Sequence, residues 1–209
     1  MNYYIDITLI PDAEANLGFL WEKVYQQVHL ALVENSFETG EYVNAIKDGI
    51  KTQMPVKETN IGLSFPEYKK HKFPLGSKMR LFAANEELLQ QLNIGKWLNR
   101  LSDYSHFTSI REVPSSVEQF VRFKRIRLGA NVERLARRRA KWKKETFEQS
   151  LKHFEGYEQQ QTDLPFINVK SLSGNQQFKL FIERELVEQS QEGTFSCYGF
   201  SQQSTVPWF

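Results

Sequence analysis

Hydrophobic and polar positions set two different periods at the start of the chain. Over residues 2–10, Tyr3, Ile5, Ile7 and Leu9 fall on alternate positions, which predicts a half-buried strand with those four on one face. Pro11 and Asp12 end it. Over residues 17–34 the period changes: Leu20, Val24, Val28 and Leu32 recur every fourth residue, the stripe of an amphipathic helix. Further strands are predicted over 60–65 (stopped by Pro66), 78–83 and 106–113 (ended by Pro114), with a short helix over 85–92. Trp97, Leu98 and Leu101 extend that helix or start another after Gly95. The order strand, helix, strand, strand, helix, strand is that of a ferredoxin-like unit. Residues 36–58 interrupt it as an insertion, in which Ala45, Ile46 and Ile50 hint at a helical turn.

The pattern changes after Pro114, Ser115 and Ser116. Residues 120–128 alternate and are basic, which predicts a strand. Asn131 is a candidate N-cap, with Glu133 in the first turn, for a helix over 131–154. Strands are expected over 166–171 and 178–184, joined by a Ser-Gly-Asn turn, and over 194–200. The expected architecture is therefore α+β. A ferredoxin-like domain over 1–116 is followed by a domain over 117–209 with an arginine-rich helix and a small β element.

Composition narrows the class. The chain has 209 residues, 40% hydrophobic and 25% charged, a globular balance. No apolar run approaches the roughly 20 residues that span a bilayer, and no basic stretch with an apolar core opens the chain as a signal peptide would. Cys197 is the only cysteine, which excludes an internal disulfide and a cysteine-based zinc site. A cytoplasmic setting is expected. The net charge of +2 hides an uneven distribution: residues 118–144 hold eleven Lys and Arg against two acids, Glu118 and Glu133. That stretch carries +9 and leaves −7 for the remainder, a directed electrostatic footprint.

Within it, Arg134, Arg137, Arg138, Lys141 and Lys144 step by three or four residues and would line one helix face. Such a stripe matches a row of phosphates. A solvated surface helix and a membrane surface are the other readings. The membrane is disfavoured because Leu135, Trp142 and Phe147 form no continuous apolar face. His29 lies near the end of the first helix between Val28 and Leu30, where a lone histidine is more often structural than catalytic; the same holds for His71, His106 and His153. No histidine pair has metal-ligand spacing on one helix, so no metal and no cofactor are expected. Residues 171–175 form a hydroxyl-rich loop that is either a plain turn or a contact for phosphate and ribose. Packing is the default for Tyr198 and the aromatic C-terminus.

Taken in order, several segments resemble one family. They are Asn2-Tyr3-Tyr4-Ile5-Asp6-Ile7 leading to Pro11-Asp12, His29-Leu30-Ala31-Leu32-Val33, and Ile61-Gly62-Leu63-Ser64-Phe65-Pro66. The arginine run over 131–139, Phe178-Lys179-Leu180-Phe181-Ile182, and Cys197-Tyr198-Gly199-Phe200-Ser201 with the closing Val206-Pro207-Trp208-Phe209 complete the set. Together they resemble the CRISPR repeat-processing endoribonucleases of type I-F systems, over nearly the whole chain. The insertion at 36–58 is longer than that pattern.

The resemblance implies an enzyme that binds the repeat stem-loop of pre-crRNA and cuts at its base without metal. It implies 2′-hydroxyl attack, products with a 2′,3′-cyclic phosphate and a 5′-hydroxyl, and retention on the crRNA hairpin among the other subunits of a surveillance complex. His29 matches the general base, Ser171 the residue that holds the ribose, and Tyr198 a neighbour that orients the site. Ser173 matches an RNA-contacting hydroxyl, Phe178 an aromatic that stacks under the last base pair, and Arg125 a base-reading arginine. The arginine helix (Arg134, Arg137, Arg138, Lys141) matches the part held against the hairpin. Two departures stand out. Gly174 follows Ser173 where the family can carry a hydroxyl, and Arg127 occupies a second base-reading position where a glutamine is found, so guanine rather than adenine is expected there. A non-catalytic subunit that only holds the crRNA hairpin is the alternative. A double-stranded DNA binder is weaker, since no DNA-reading motif is present.

Overall fold

The computed structural model describes residues 1–47, 50–129, 131–157, 161–171 and 176–209. It is a mixed α+β protein. Its packing separates two compact units, one formed by Met1–Arg125 with Pro165–Phe209 and the other by Ile126–Leu164.

In the first unit the opening alternation becomes β1 (Tyr3–Leu9) and the four-residue period becomes α1 (Leu17–Glu34). Asn16 starts α1: its side chain accepts the Phe19 N–H at 3.0 Å, satisfying one of the four unpaired donors of a helix start. The hairpin β2 (Phe37–Lys47) and β3 (Ile50–Thr59) follows, then β4 (Gly62–Ser64), β5 (Lys78–Ala83), α2 (Glu86–Leu92), α3 (Ile94–Leu98), β6 (Ser105–Phe107) and β7 (Arg111–Glu112). One sheet has the order β4-β5-β1-β6, antiparallel at each step, with β7 also pairing β1. Ile5, Ile7 and Leu9 are buried in one core with Leu20, Val24, Val28 and Leu32 of α1. On the opposite face of β1, the Asp6 carboxylate accepts from Arg80 Nε at 2.6 Å and Nη2 at 3.0 Å. Arg80 also donates to the Phe209 carbonyl at 2.9 Å, and the Phe209 ring meets Tyr4 edge-on at 5.2 Å.

A second sheet is built from β8 (Phe120–Ile126), β9 (Phe166–Lys170), β10 (Gln177–Val187) and β12 (Val206–Pro207), in the order β12-β8-β10-β9. Its apolar residues Val121, Phe123, Ile167, Val169, Leu180 and Ile182 join the same core as α1. That shared core explains why the compact units do not divide at residue 116 as expected: the later strands fold back onto the first part. The two-residue β11 (Phe195–Ser196) pairs with β3, giving a third sheet in the order β11-β3-β2.

Four expectations about elements change. The insertion is a hairpin, not a helical turn: three apolar residues are too few to set a helix period against a paired ladder that runs to Lys47↔Ile50. The strand expected over 106–113 is two pieces, because the Thr108 hydroxyl takes the Asp6 N–H at 3.2 Å and interrupts the ladder. The strand over 194–200 stops at Ser196 and turns. The helix over 131–154 is two helices.

Those two helices form the second unit: α4 (Val132–Lys143) and α5 (Phe147–Lys152). Asn131 caps α4 as expected, accepting from the Glu133 N–H at 2.8 Å. Lys144 is left-handed at φ 55° and ends α4, so it does not continue the basic face. Thr146 and Gln149 then form a reciprocal capping box that starts α5. Glu145 ties the break together, accepting from Arg139 at 2.8 Å and from the Ser150 hydroxyl at 2.6 Å. Among the described residues no helix is long and apolar enough to cross a membrane.

Candidate active site

Helix α1 carries three polar side chains on the face it turns towards the later strands: Tyr25, Gln26 and His29. His29 is only 7% exposed, so its ring nitrogens need defined partners. Nδ1 lies 2.8 Å from the Cys197 carbonyl. A carbonyl only accepts, so the neutral ring carries its proton on Nδ1 and leaves the Nε2 lone pair as the base. One helical turn earlier, the Tyr25 hydroxyl donates to the Tyr198 carbonyl at 2.9 Å. Consecutive carbonyls of one turn are therefore held by side chains four apart on one helix.

The turn follows from its sequence. The Gly199 N–H donates to the Ser196 carbonyl at 2.7 Å, the Ser196 N–H to the Phe200 carbonyl at 2.9 Å, and the Leu63 N–H to the Gly199 carbonyl at 2.9 Å. Gly199 has φ +76°, and a Cβ there would lie 2.2 Å from Leu63 Cγ. Both the left-handed backbone and the close approach require glycine. The turn lays the Tyr198 ring against His29, centroids 4.5 Å apart and planes within 10°. The Arg125 guanidinium of β8 sits 4.5 Å from the Tyr198 centroid and 5.1 Å from that of Phe178 on β10. Phe178, Arg125, Tyr198 and His29 thus form one continuous stack.

Burial pushes the His29 pKa below its ordinary value. The Cys197 hydrogen bond acts the other way and the Arg125 charge lowers it further. The ring is consequently neutral and basic near pH 7. Burial also pushes the Tyr25 pKa well up, which keeps its hydroxyl protonated as a donor.

Ser171 follows the last residue of β9, and its N–H donates to the Gln176 carbonyl at 2.8 Å, closing the base of the 171–176 loop. Its neighbour Lys170 donates its N–H to Gln26 Oε1 at 3.2 Å, which ties this end of β9 to α1 one turn before His29. Ser173 and Gly174 lie outside the described residues.

The basic candidates form a separate group. Arg127 is exposed and follows the last residue of β8. Arg134, Arg137, Arg138 and Lys141 are exposed on α4. Arg137 makes an exposed pair with Glu133 at 3.3 Å. Sequence reasoning missed Tyr25, Gln26 and the Cys197 carbonyl. Tyr25 and Gln26 share the His29 face of α1, the only signal available, while a backbone acceptor leaves none.

The family described as CRISPR-associated protein (Cas_Csy4) matches residues 4–209. A CRISPR-associated endonuclease Cas6/Csy4 of Escherichia coli (strain UTI89 / UPEC) is 32% identical over 210 residues, covering 100% of both chains. Its namesake from Pseudomonas aeruginosa (strain UCBPP-PA14) is 30% identical over the same length, again covering 100% of both. A solved structure titled as an RAMP protein binding different RNA substrates aligns over 99% of each chain, but at 9% identity and a TM-score of 0.27 it carries no weight. A family match across nearly the whole chain, together with full-length relatives of this similarity, establishes that the chain belongs to the Cas_Csy4 family of CRISPR-associated proteins.

Proposed function

We propose that this protein is an endoribonuclease that binds the stem-loop of CRISPR repeat RNA and cuts pre-crRNA at the base of the stem. The observation that carries the reading is the buried His29, with Nδ1 on the Cys197 carbonyl and its ring stacked on Tyr198. The endonuclease names of its full-length relatives point the same way.

In the reaction, His29 Nε2 takes the proton of the 2′-hydroxyl next to the scissile phosphate. The 2′-oxygen bonds to phosphorus, the bond from phosphorus to the 5′-oxygen breaks, that oxygen takes up a proton from water, and His29 gives its proton back to solvent. The products are a 2′,3′-cyclic phosphate and a 5′-hydroxyl. Nucleophile and phosphate already belong to one molecule, so positioning supplies much of the rate. Ser171 holds the ribose and Tyr198 fixes the imidazole plane. Phe178 stacks under the last base pair, and Ser173 supplies a hydroxyl contact to the RNA. Arg125 and Arg127 read bases at the foot of the stem, and Arg134, Arg137, Arg138 and Lys141 follow the phosphates. The chemistry uses no metal, and the protein stays on its crRNA product with the other subunits of a type I-F surveillance complex.

Numbering β1, β4, β5 and β6 first to fourth, the sheet order is second, third, first, fourth, antiparallel throughout, with α1 and α2 in the two crossovers. That arrangement supports a ferredoxin-like unit carrying His29, with α4 as the arginine-rich RNA helix.

The test is incubation with the cognate repeat RNA in EDTA. Cleavage at the stem base to a cyclic phosphate is expected. No cleavage, or a 3′-hydroxyl product, would overturn the mechanism.

A further inference from the structure

We infer that Tyr25 and Gln26 are positioning residues for this reaction, which hold the Tyr198 turn and the Ser171 end of β9 onto the helix that carries His29. The inference rests on the proposed ribonuclease reading and extends it to two side chains outside the motifs that carry the family resemblance.

Both segments enter the site from distant parts of the chain, Tyr198 from the turn after β11 and Ser171 from the end of β9. Each is fastened to α1 by a side-chain hydrogen bond to its backbone. Tyr25 Oη donates to the Tyr198 carbonyl at 2.9 Å, and Gln26 Oε1 accepts the Lys170 N–H at 3.2 Å. His29 completes the set through the Cys197 carbonyl at 2.8 Å. Tyr25 has no exposed surface and its ring stacks on Phe200, centroids 6.4 Å apart at 18°. Its hydroxyl is therefore delivered to the carbonyl by a rigid, packed ring. Without that hydroxyl the Tyr198 carbonyl loses its partner on α1, and the adjacent Cys197 carbonyl loses the restraint that aims it at Nδ1. The tautomer of His29 and the plane of its ring depend on that restraint. Gln26 does the equivalent for Ser171, because a change at Lys170 N moves the next residue directly. Neither side chain needs to touch RNA, so their effect falls on cleavage and not on hairpin affinity.

Around His29 lie Tyr25 on α1, Cys197 and Tyr198 on the turn, and Arg125 on β8. The Cys197 hydrogen bond raises the His29 pKa, whereas burial and Arg125 lower it. Loosening the turn weakens that hydrogen bond and the burial together, and the two act on the pKa in opposite directions, so the His29 tautomer is the deciding readout.

The experiment compares wild type, Tyr25→Phe and Gln26→Met, which keep side-chain volume and remove only the polar group. Single-turnover cleavage is measured at saturating repeat hairpin across pH, with hairpin affinity and melting temperature measured alongside. Nitrogen NMR of the His29 ring is recorded in the RNA-free protein. The expected result is a cleavage rate about tenfold lower for each variant at unchanged affinity. For Tyr25→Phe the single Nδ1–H tautomer of the wild type also becomes a mixture. Wild-type rates with an unchanged tautomer would overturn the inference. So would rate losses that only track lost affinity or melting temperature, since those mark a general structural role. The NMR arm needs no RNA, so it decides the positioning claim even if the wild type proves not to cut repeat RNA.

Discussion

The imidazole of His29 and the phenol of Tyr198, 169 positions apart in the chain, lie nearly parallel with ring centroids 4.5 Å apart. The stack covers one face of the imidazole and fixes the plane in which Nε2 points, while the Cys197 carbonyl fixes which nitrogen carries the lone pair.

On the proposed mechanism, replacing His29 should separate cutting from binding. His29→Ala is expected to abolish cleavage, with loss of at least about 10²–10⁴-fold as for a removed general base, and to leave hairpin affinity nearly unchanged. A hairpin with a 2′-deoxy nucleotide just upstream of the cut should bind and remain intact. Gel-based single-turnover assays with both substrates check this; cleavage of the deoxy analogue would refute 2′-hydroxyl attack.

The pH dependence has a definite sign. Burial is the largest influence on His29 and lowers its pKa from the usual value near 6.5. The base form should persist below pH 6.5, and the rate should fall only as pH drops through the lowered value. Folding follows the same sign. Stability from burying the neutral ring is complete above the unfolded pKa and is lost as pH falls through the folded one. A rate profile with its acid midpoint above 6.5 would contradict the burial argument.

The basic face of α4 predicts a salt effect. Arg137→Ala combined with Arg138→Ala should weaken binding to every hairpin sequence and reduce the slope of log affinity against log salt by about two units or less. Because Arg137 already pairs with Glu133 at an exposed site, Arg138→Ala alone should account for the larger share. Affinity that is unchanged across a salt titration would mean that this face meets only solvent.

Gly199 links stability to the site. Its φ of +76° and the 2.2 Å approach to Leu63 Cγ leave no room for a side chain. Gly199→Ala should cost roughly 2–3 kcal/mol of stability and slow cleavage, because the turn that carries Tyr198 must shift. Chemical denaturation together with cleavage assays tests both halves; a stable variant with full activity would show that the turn tolerates the change.

Much of this was legible from local pattern. The alternation before Pro11 and the four-residue period from Leu20 to Leu32 set β1 and α1 within a residue, since each period reports which face is buried. Asn131 announced its helix because capping is chemistry between near neighbours. The end of that helix was missed because the capping box at Thr146 and the left-handed Lys144 interrupt a sequence whose composition still favours helix. The hairpin over the insertion was missed for a related reason. A strand is stabilised by a partner ladder, and β3 is held between β2 and β11, the latter more than 130 residues away. The sequence by itself determined the element types outside the insertion, the charge stripe on α4 and the residue types available for acid–base chemistry, because these depend on spacing along the chain. Only the tertiary structure decided which nitrogen of His29 is the base, that Tyr198 lies on its ring, and that Tyr25 and Gln26 fasten the two returning segments. Each of these rests on a backbone group or a packed ring brought from far along the chain, and the burial that shifts the His29 pKa exists only once those segments have closed over it.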